Sequence, residues 1–372
     1  MPFSDNAYWL ALNRAPDLGH ATVGRVLGRF GSPREVFGAS DGALAELGVP
    51  EAARRYLRHP DWDAVEADLT WLSGPSHHLL TLAHPDYPPR LREISNPPLV
   101  LFVQGDAEVL EVPQLAIVGS RNPTPAGAET ARAFARSLAE AGLAVTSGLA
   151  LGVDGAAHRG ALAGGGLTVA VAGNGLDRVY PAAHRELAAQ IAADGALVSE
   201  FPPGTPPRAG NFPRRNRVIS GLSLGVLVVE AARRSGSLIT ARLASAQGRE
   251  VFAIPGSIHN PLARGCHALL RQGAKLVETA RDVLEEIGGQ VSVASTKLDT
   301  VSEPLCGAAS GPDPQYVKLL SSLGYEPTGV DMLVERTGLT PEEVSSMLLI
   351  LELEGHVASL SGGLYARTAK GP

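Results

Sequence analysis

The sequence predicts an α/β chain built on a doubly wound, Rossmann-like parallel sheet, with a small helical domain before it and a winged-helix domain after it. Three observations carry this. Apolar runs of strand length alternate with helix-length stretches through the middle of the chain, the signature of a parallel sheet buried on both faces. The first 75 residues show only helical apolar spacing. After a stretch rich in Gly, Ser, Thr and Ala, the C-terminus runs helix, helix, helix, hairpin.

From the N-terminus, "GHATVGRVLGRFGSPREVF" and "GALAELGVPEAARRYL" read as two small helical hairpins within a packed helical domain over residues 1–75, with no expected DNA contact. "HLLTLAHPDYPPRLREISNPPLVLFVQGD" predicts a strand, a short proline-opened helix and an apolar strand at 99–105. "LAIVGS", "LAVTSG", "TVAVAG", "ALVSE", "GVLVVE", "EVFAIPG" and "AKLVET" then predict seven strands within a domain spanning 80–286. Residues 287–314 lack apolar periodicity and read as a linker. "QYVKLLSSLG", "GVDMLVERTG" and "TPEEVSSMLLILELEG" predict three helices, and "HVASLSGGLYAR" a hairpin, within a winged helix over 315–368.

At 372 residues, 44% apolar and 19% charged, the chain has room for two or three domains. No apolar stretch is long enough to span a bilayer and the start lacks a signal-peptide pattern, so the expected location is the cytoplasm. Cys266 and Cys306 stand alone without CxxC or His spacing, which excludes a disulfide framework and a structural zinc site. The net charge is −6, yet residues 201–249 hold eight arginines and one acid, Glu230, giving +7 there and −13 elsewhere. Such asymmetry needs a partner or a very solvated surface.

Several chemistries fail on inspection. "GNGLDR" at 173–178 places Arg178 where a dinucleotide fingerprint needs its third glycine, and no GxxxxGK[ST] occurs. Asp154 and His158 stand at i, i+4 without a nucleophile, and Asp154 is expected to cap the helix that begins there. The acidic residues do not pair as metal ligands. No catalytic set and no cofactor are therefore expected.

Phosphate recognition remains. "VGSRNPTPAG" sits between a strand and a helix, so the Gly119 and Ser120 amides with the Arg121 side chain, beside Asn122, form an anion loop. Ser235, Gly236 and Ser237 in "RRSGSLITARLA" repeat the arrangement. "RAGNFPRRNR" adds Arg208, Asn211, Arg214, Arg215, Asn216 and Arg217 around Phe212, whose ring suits stacking on a base. The three loops are expected at the carboxyl ends of the strands, where ligands bind in open α/β sheets. The arginines would line a groove, and Asn216 would hold its loop by side-chain hydrogen bonds.

Together "YPPRLREISNPPLVLFVQGD", "AIVGSRNPTPAG", "TSGLALGVDGAAHRGAL", "VAGNGLDRVYP", the long segment from "LVSEFPPGTPPRAGNFPRRNR" to "EVFAIPG", and "RGCHALLRQGA" closely resemble the DprA (Smf) family over about residues 80–285. The resemblance implies a single-stranded DNA-binding protein of natural transformation and recombination. Such a protein protects incoming strands, helps load the RecA recombinase and forms a homodimer through its Rossmann-like domain. It also implies DNA contact through Gly119, Ser120 and Arg121 and through the segment around "FPRRNR". Where some members carry a Lys three residues before the Phe, this chain has Ala209, with Arg208 beside it. A second resemblance, to Rossmann-like phosphoribohydrolases, lacks their PGGxGT…E pattern. The third C-terminal helix carries Glu342, Glu343, Glu352 and Glu354 and no Lys or Arg, so the winged helix is expected to contact protein rather than read DNA.

Overall fold

The computed structural model describes residues 3–288, 314–323 and 327–368. Six short helices come first: α1 (Asp5–Asn13), α2 (His20–Phe30), α3 (Pro33–Phe37), α4 (Asp41–Glu46), α5 (Glu51–Arg58) and α6 (Trp62–Leu72). Ser4, Ser32, Ser40 and Asp61 open four of them by accepting an orphan amide of the first turn. Leu12, Val23, Val26, Val36, Leu44 and Leu57 form their common core. Arg14 closes the group onto buried Asp68 with two parallel hydrogen bonds of 2.8 and 2.7 Å.

The α/β region follows as β1 (His77–Thr81), α7 (Pro89–Arg92), β2 (Val100–Gly105), β3 (Gln114–Val118), α8 (Pro125–Glu140), β4 (Ala144–Ser147), α9 (Val153–Ala163) and β5 (Thr168–Val171). It continues through α10 (Arg185–Asp194), β6 (Ala196–Ser199), α11 (Asn211–Leu222), β7 (Gly225–Val228), α12 (Ser237–Ala246), β8 (Glu250–Ala253), α13 (Ala263–Arg271), β9 (Lys275–Leu276) and α14 (Ala280–Ile287). All seven apolar runs are strands. They lie in the order β1-β2-β6-β5-β4-β3-β7-β8-β9. β6 through β9 are mutually parallel, while β1 and β2 add an antiparallel edge.

Alternation along β3 shows why the runs are continuously apolar. Ala116 and Val118 pack with Val218, Ile219 and Leu222 of α11, whereas Leu115 and Ile117 pack with Ala131, Phe134 and Leu138 of α8. Both faces are covered, so neither residue parity is polar. Strand order reverses at β3, between β4 on one side and β7 on the other. Loops leaving β3 and β7 therefore diverge and open a crevice at the carboxyl edge.

The C-terminal unit contains α15 (Pro314–Leu323), β10 (Thr328–Gly329), α16 (Val330–Thr337), α17 (Pro341–Leu353), β11 (Val357–Leu360) and β12 (Leu364–Arg367). The expected hairpin gains a third strand, because β10 pairs antiparallel with β12 to give the order β10-β12-β11. Thr340 and Glu343 form a capping box at the start of α17. The linker expected over 287–314 lies outside the described residues except for Ile287, Gly288 and Pro314. Among the described residues no helix is long and apolar enough to cross a membrane.

Helices α8 and α9 meet at Gly160, where an added Cβ would stand 2.2 Å from the Arg132 carbonyl oxygen. Gly160→Ala should therefore force the helices apart and destabilise the protein by about 1–3 kcal/mol, read as a lower urea midpoint at unchanged slope.

Candidate nucleic-acid interface

A cavity of about 520 Å³ opens at the point where strand order reverses. Gly119 and Arg121 enter it from the loop after β3, Phe212, Arg215 and Asn216 from α11, and Ser235–Ser237 from the turn before α12. Three segments far apart in sequence thus converge on one crevice.

The loop after β3 is held from behind. Thr124 caps α8 and also donates its amide and hydroxyl to the Glu230 carboxylate at 2.8 Å each, while Asn260 donates to the same carboxylate at 3.3 Å. Glu230 is buried, so the one acid in the basic window compensates a helix N-terminus instead of facing the crevice. A Cβ on Gly119 would come within 2.7 Å of Val153, which lets the loop lie flat on the helix behind it. Ser120 spends its hydroxyl on the Asn122 amide at 3.1 Å. The amides of Gly119, Ser120 and Arg121 donate to no group among the described residues. Arg121 is exposed, has no ion pair among the described residues, and sits 5.7 Å over the Phe212 ring.

"NFPRRNR" is not a loop. It forms the first turns of α11, and helical geometry divides its side chains by direction. Phe212 lines the cavity, with the Tyr180 ring 5.7 Å away. Arg214 points outward, 60% exposed, with Glu200 at 3.3 Å. Arg215 and Arg217 turn inward. Arg215 donates to the carbonyls of Gly148, at 2.7 Å, and Val171, and burial pushes its guanidinium down to about 10 against the pull of Asp154. Arg217 bonds Glu200, with the two side chains 11% and 2% exposed. Burial pushes the Glu200 carboxyl up, against Arg217 and Arg214. The expectation that all three arginines line the groove is thus corrected: Arg214 is outside, Arg215 is a bonded floor residue and Arg217 is internal. A buried guanidinium needs acceptors, and these two have taken carbonyl and carboxylate partners inside the domain.

Asn216 lines the cavity, and its side chain, expected to hold the loop, forms no hydrogen bond among the described residues. Asn211 performs that task, donating to the Gly173 and Pro206 carbonyls at 3.0 and 3.3 Å. Arg208 is exposed and lines a separate depression with Arg14 and Thr205, while Ala209 borders the cavity itself. Ser235 and Ser237 share a hydroxyl hydrogen bond of 2.7 Å that shapes the turn between them. Arg233, Arg234 and Arg242, unmarked in the sequence except through the charge count, are exposed around this turn and α12 and form no ion pair among the described residues. Tyr180, 46% exposed, had no sequence signal at all.

Asp154 does not cap its helix. Gly152 is the N-cap, and the Asp154 carboxylate instead accepts the amides of Gly148 and Ala150 in the preceding loop at 3.2 and 3.3 Å. His158 is buried, with Nδ1 2.8 Å from the Thr168 hydroxyl. Among the described residues no group of three or more His, Cys, Asp or Glu is arranged to hold a metal.

Residues 78–288 match the family model for DNA recombination-mediator protein A, and residues 303–363 match the DprA winged helix domain. The chain belongs to the DprA family. Protein Smf of Escherichia coli (strain K12) is 46% identical over 321 residues, covering 85% of this chain and 83% of the relative. The crystal structure of DprA from Streptococcus pneumoniae aligns with a TM-score of 0.68 at 36% identity, over 77% of this chain and 99% of that one. DprA from Helicobacter pylori, whose structure was solved for its single-stranded DNA binding mode, aligns at 0.52 and 30% identity, over 57% and 96%. This DprA-family chain thus has the fold class expected for it.

Two outcomes test the placement of these side chains. Arg217→Met leaves the Glu200 carboxylate buried without its main partner and should cost about 3–5 kcal/mol of stability, while the double variant with Glu200→Gln should recover part of that loss in urea unfolding. His158 titrates near 3 when folded because burial and the nearby His184 and Arg215 disfavour its charge, against an ordinary value of 6.5. The unfolded chain therefore takes up this proton first, so the stability the group contributes is full above pH 6.5 and is lost as pH falls toward 3. His158→Gln should flatten the stability profile in that window.

Proposed function

We propose that the crevice binds single-stranded DNA, within a DNA-processing role in recombination and natural transformation. The observation that carries this is the convergence at one strand-order reversal of three amides that donate to nothing, and an Arg121 without an ion pair, among the described residues, together with the Phe212 ring. Amides and guanidinium suit phosphate oxygens. Phe212 and Tyr180 offer ring faces, which stack on bases only when those bases are not enclosed in a duplex. Arg233 and Arg234, just before the Ser235–Ser237 turn, and Arg242 on α12 add exposed positive charge. The chain reads the backbone and the faces of bases, so its sequence preference is slight.

Within this reading the strand is protected by occupancy of the crevice and handed to a recombinase of the RecA type, and two copies associate through the α/β region. Family membership supports both parts. The single-stranded DNA in the description of the Helicobacter pylori relative supports the ligand.

Fluorescence anisotropy with a labelled oligo(dT) and a duplex of equal length, over a salt series, tests the proposal. Affinity should favour the single strand and fall steeply with salt as counterions are released. Arg121→Ala should weaken binding about tenfold and reduce the salt slope by about one, with the melting temperature unchanged because the side chain is exposed. Equal affinity for duplex, or nucleotide cleavage without a mobility shift, would overturn it.

A further inference from the structure

Helix α17 presents an outward face unlike that of a DNA-reading helix. Leu353 is 81% exposed, Leu349 58% and Ile350 also exposed, and Glu342, Glu343, Glu352 and Glu354 surround them. Residues 342, 346, 349 and 353 follow helical spacing, so the leucines form one ridge with the carboxylates about it. Glu343 and Glu352 are held in place by bonds to Thr340 and Ser359. An exposed apolar ridge of this kind marks a docking surface.

The crevice rim has the opposite character. Ile239 on α12 is exposed at the lip of the cavity. Arg121 lines the same cavity, Arg242 stands three residues on from Ile239 along α12, and Arg233 and Arg234 immediately precede the Ser235–Ser237 turn; all four are exposed and without ion pairs among the described residues. Four carboxylates about a leucine ridge complement the exposed guanidiniums of Arg121 and Arg242 beside an isoleucine, with those of Arg233 and Arg234 just before the turn. A second copy of α17 is a poor occupant, because it would bring two acidic faces together. The 26 residues between Ile287 and Pro314 allow a separation of up to about 90 Å when fully extended, so both faces lie within reach in one chain.

We infer that the α17 face docks on the Arg121–Ile239–Arg242 rim and competes with single-stranded DNA for it. The inference rests on the DNA reading of the crevice. The winged helix then acts as a tethered anionic competitor, present at high effective concentration without new chain being recruited. A longer polyanion making more phosphate contacts displaces it, and salt weakens both contacts. Unoccupied DNA sites are thereby shielded from weak anions and duplex surfaces, while a strand long enough to fill the crevice still wins.

The full-length variant Leu349→Ser/Leu353→Ser changes no charge and alters only exposed positions. At low salt it should bind oligo(dT) about fivefold more tightly than the parent chain, with the gain shrinking as salt rises; unchanged or weaker binding overturns the inference. Glu342→Gln should shift affinity in the same direction. A direct measurement does not depend on those variants: Ile239→Cys/Leu353→Cys in a Cys306→Ser background should give an intramolecular bis-maleimide cross-link that excess oligo(dT) suppresses. No cross-link, or one indifferent to the oligonucleotide while anisotropy shows binding, overturns the docking. If the parent chain binds no oligonucleotide, the DNA reading fails, and the cross-link formed without DNA decides the docking alone.

Discussion

The carboxyl edge of the sheet depends on the two buried arginines of α11. One Arg215 guanidinium bridges the carbonyl of Gly148, past the end of β4, and that of Val171, at the end of β5. A Cβ at Gly148 would come within 2.6 Å of that guanidinium, so the bridge requires glycine there. Asp154 braces the same loop by accepting two of its amides. Arg217, two residues further along the helix, locks α11 to Glu200 just beyond β6. These groups sit in a region of low dielectric, where an unmet donor is costly and a met one is rigidifying. The first turn of α11 is therefore a fixed platform, and Phe212 projects from it into the cavity.

Charge is divided accordingly. Among the arginines of the basic window, Arg215, Arg217 and Arg249 are committed to internal partners, the last to Arg90 and Glu93. Arg214 is shared between solvent and Glu200. Positive charge toward solvent comes from Arg121 in the cavity lining and from Arg233, Arg234 and Arg242, exposed before and along α12. Glu230 withdraws its carboxylate beneath Thr124, so no acid of this window opposes the field. An anion approaching the crevice meets donors already in position, which limits the ordering entropy lost on binding.

Elements were highly legible in the sequence because their signals are local. "LAIVGS" and "GVLVVE" could only be strands buried on both faces, and β3 and β7 are neighbours at the centre of the sheet. "TPEE" before "VSSMLLILELEG" is a helix start by capping chemistry alone. The loops carrying Gly119 and Ser235 were placed at strand ends by the same alternation. Reading "NFPRRNR" as a loop failed because Pro213 and three arginines weaken the apolar period, whereas proline in a first turn is compatible with a helix. Asn211 and Asn216 exchanged expected roles for the same reason: which side of a helix a residue faces is unknown until the helix is placed.

Sequence alone determined the fold class, the order of its parts, the basic window and the two glycine- and serine-bearing turns, since each follows from periodicity, composition or turn chemistry within a few residues. Tertiary structure alone decided which arginines are free. Whether Arg214 or Arg217 faces water depends on where Glu200 lies, and whether Arg215 is a ligand or a brace depends on carbonyls 67 and 44 residues away. Tyr180 joined Phe212 by the same route, through the adjacency of the segment after β5 and the first turn of α11 that only the tertiary fold brings together. Burial and long-range acceptors are properties of three-dimensional neighbours, and the chain's local pattern does not encode them.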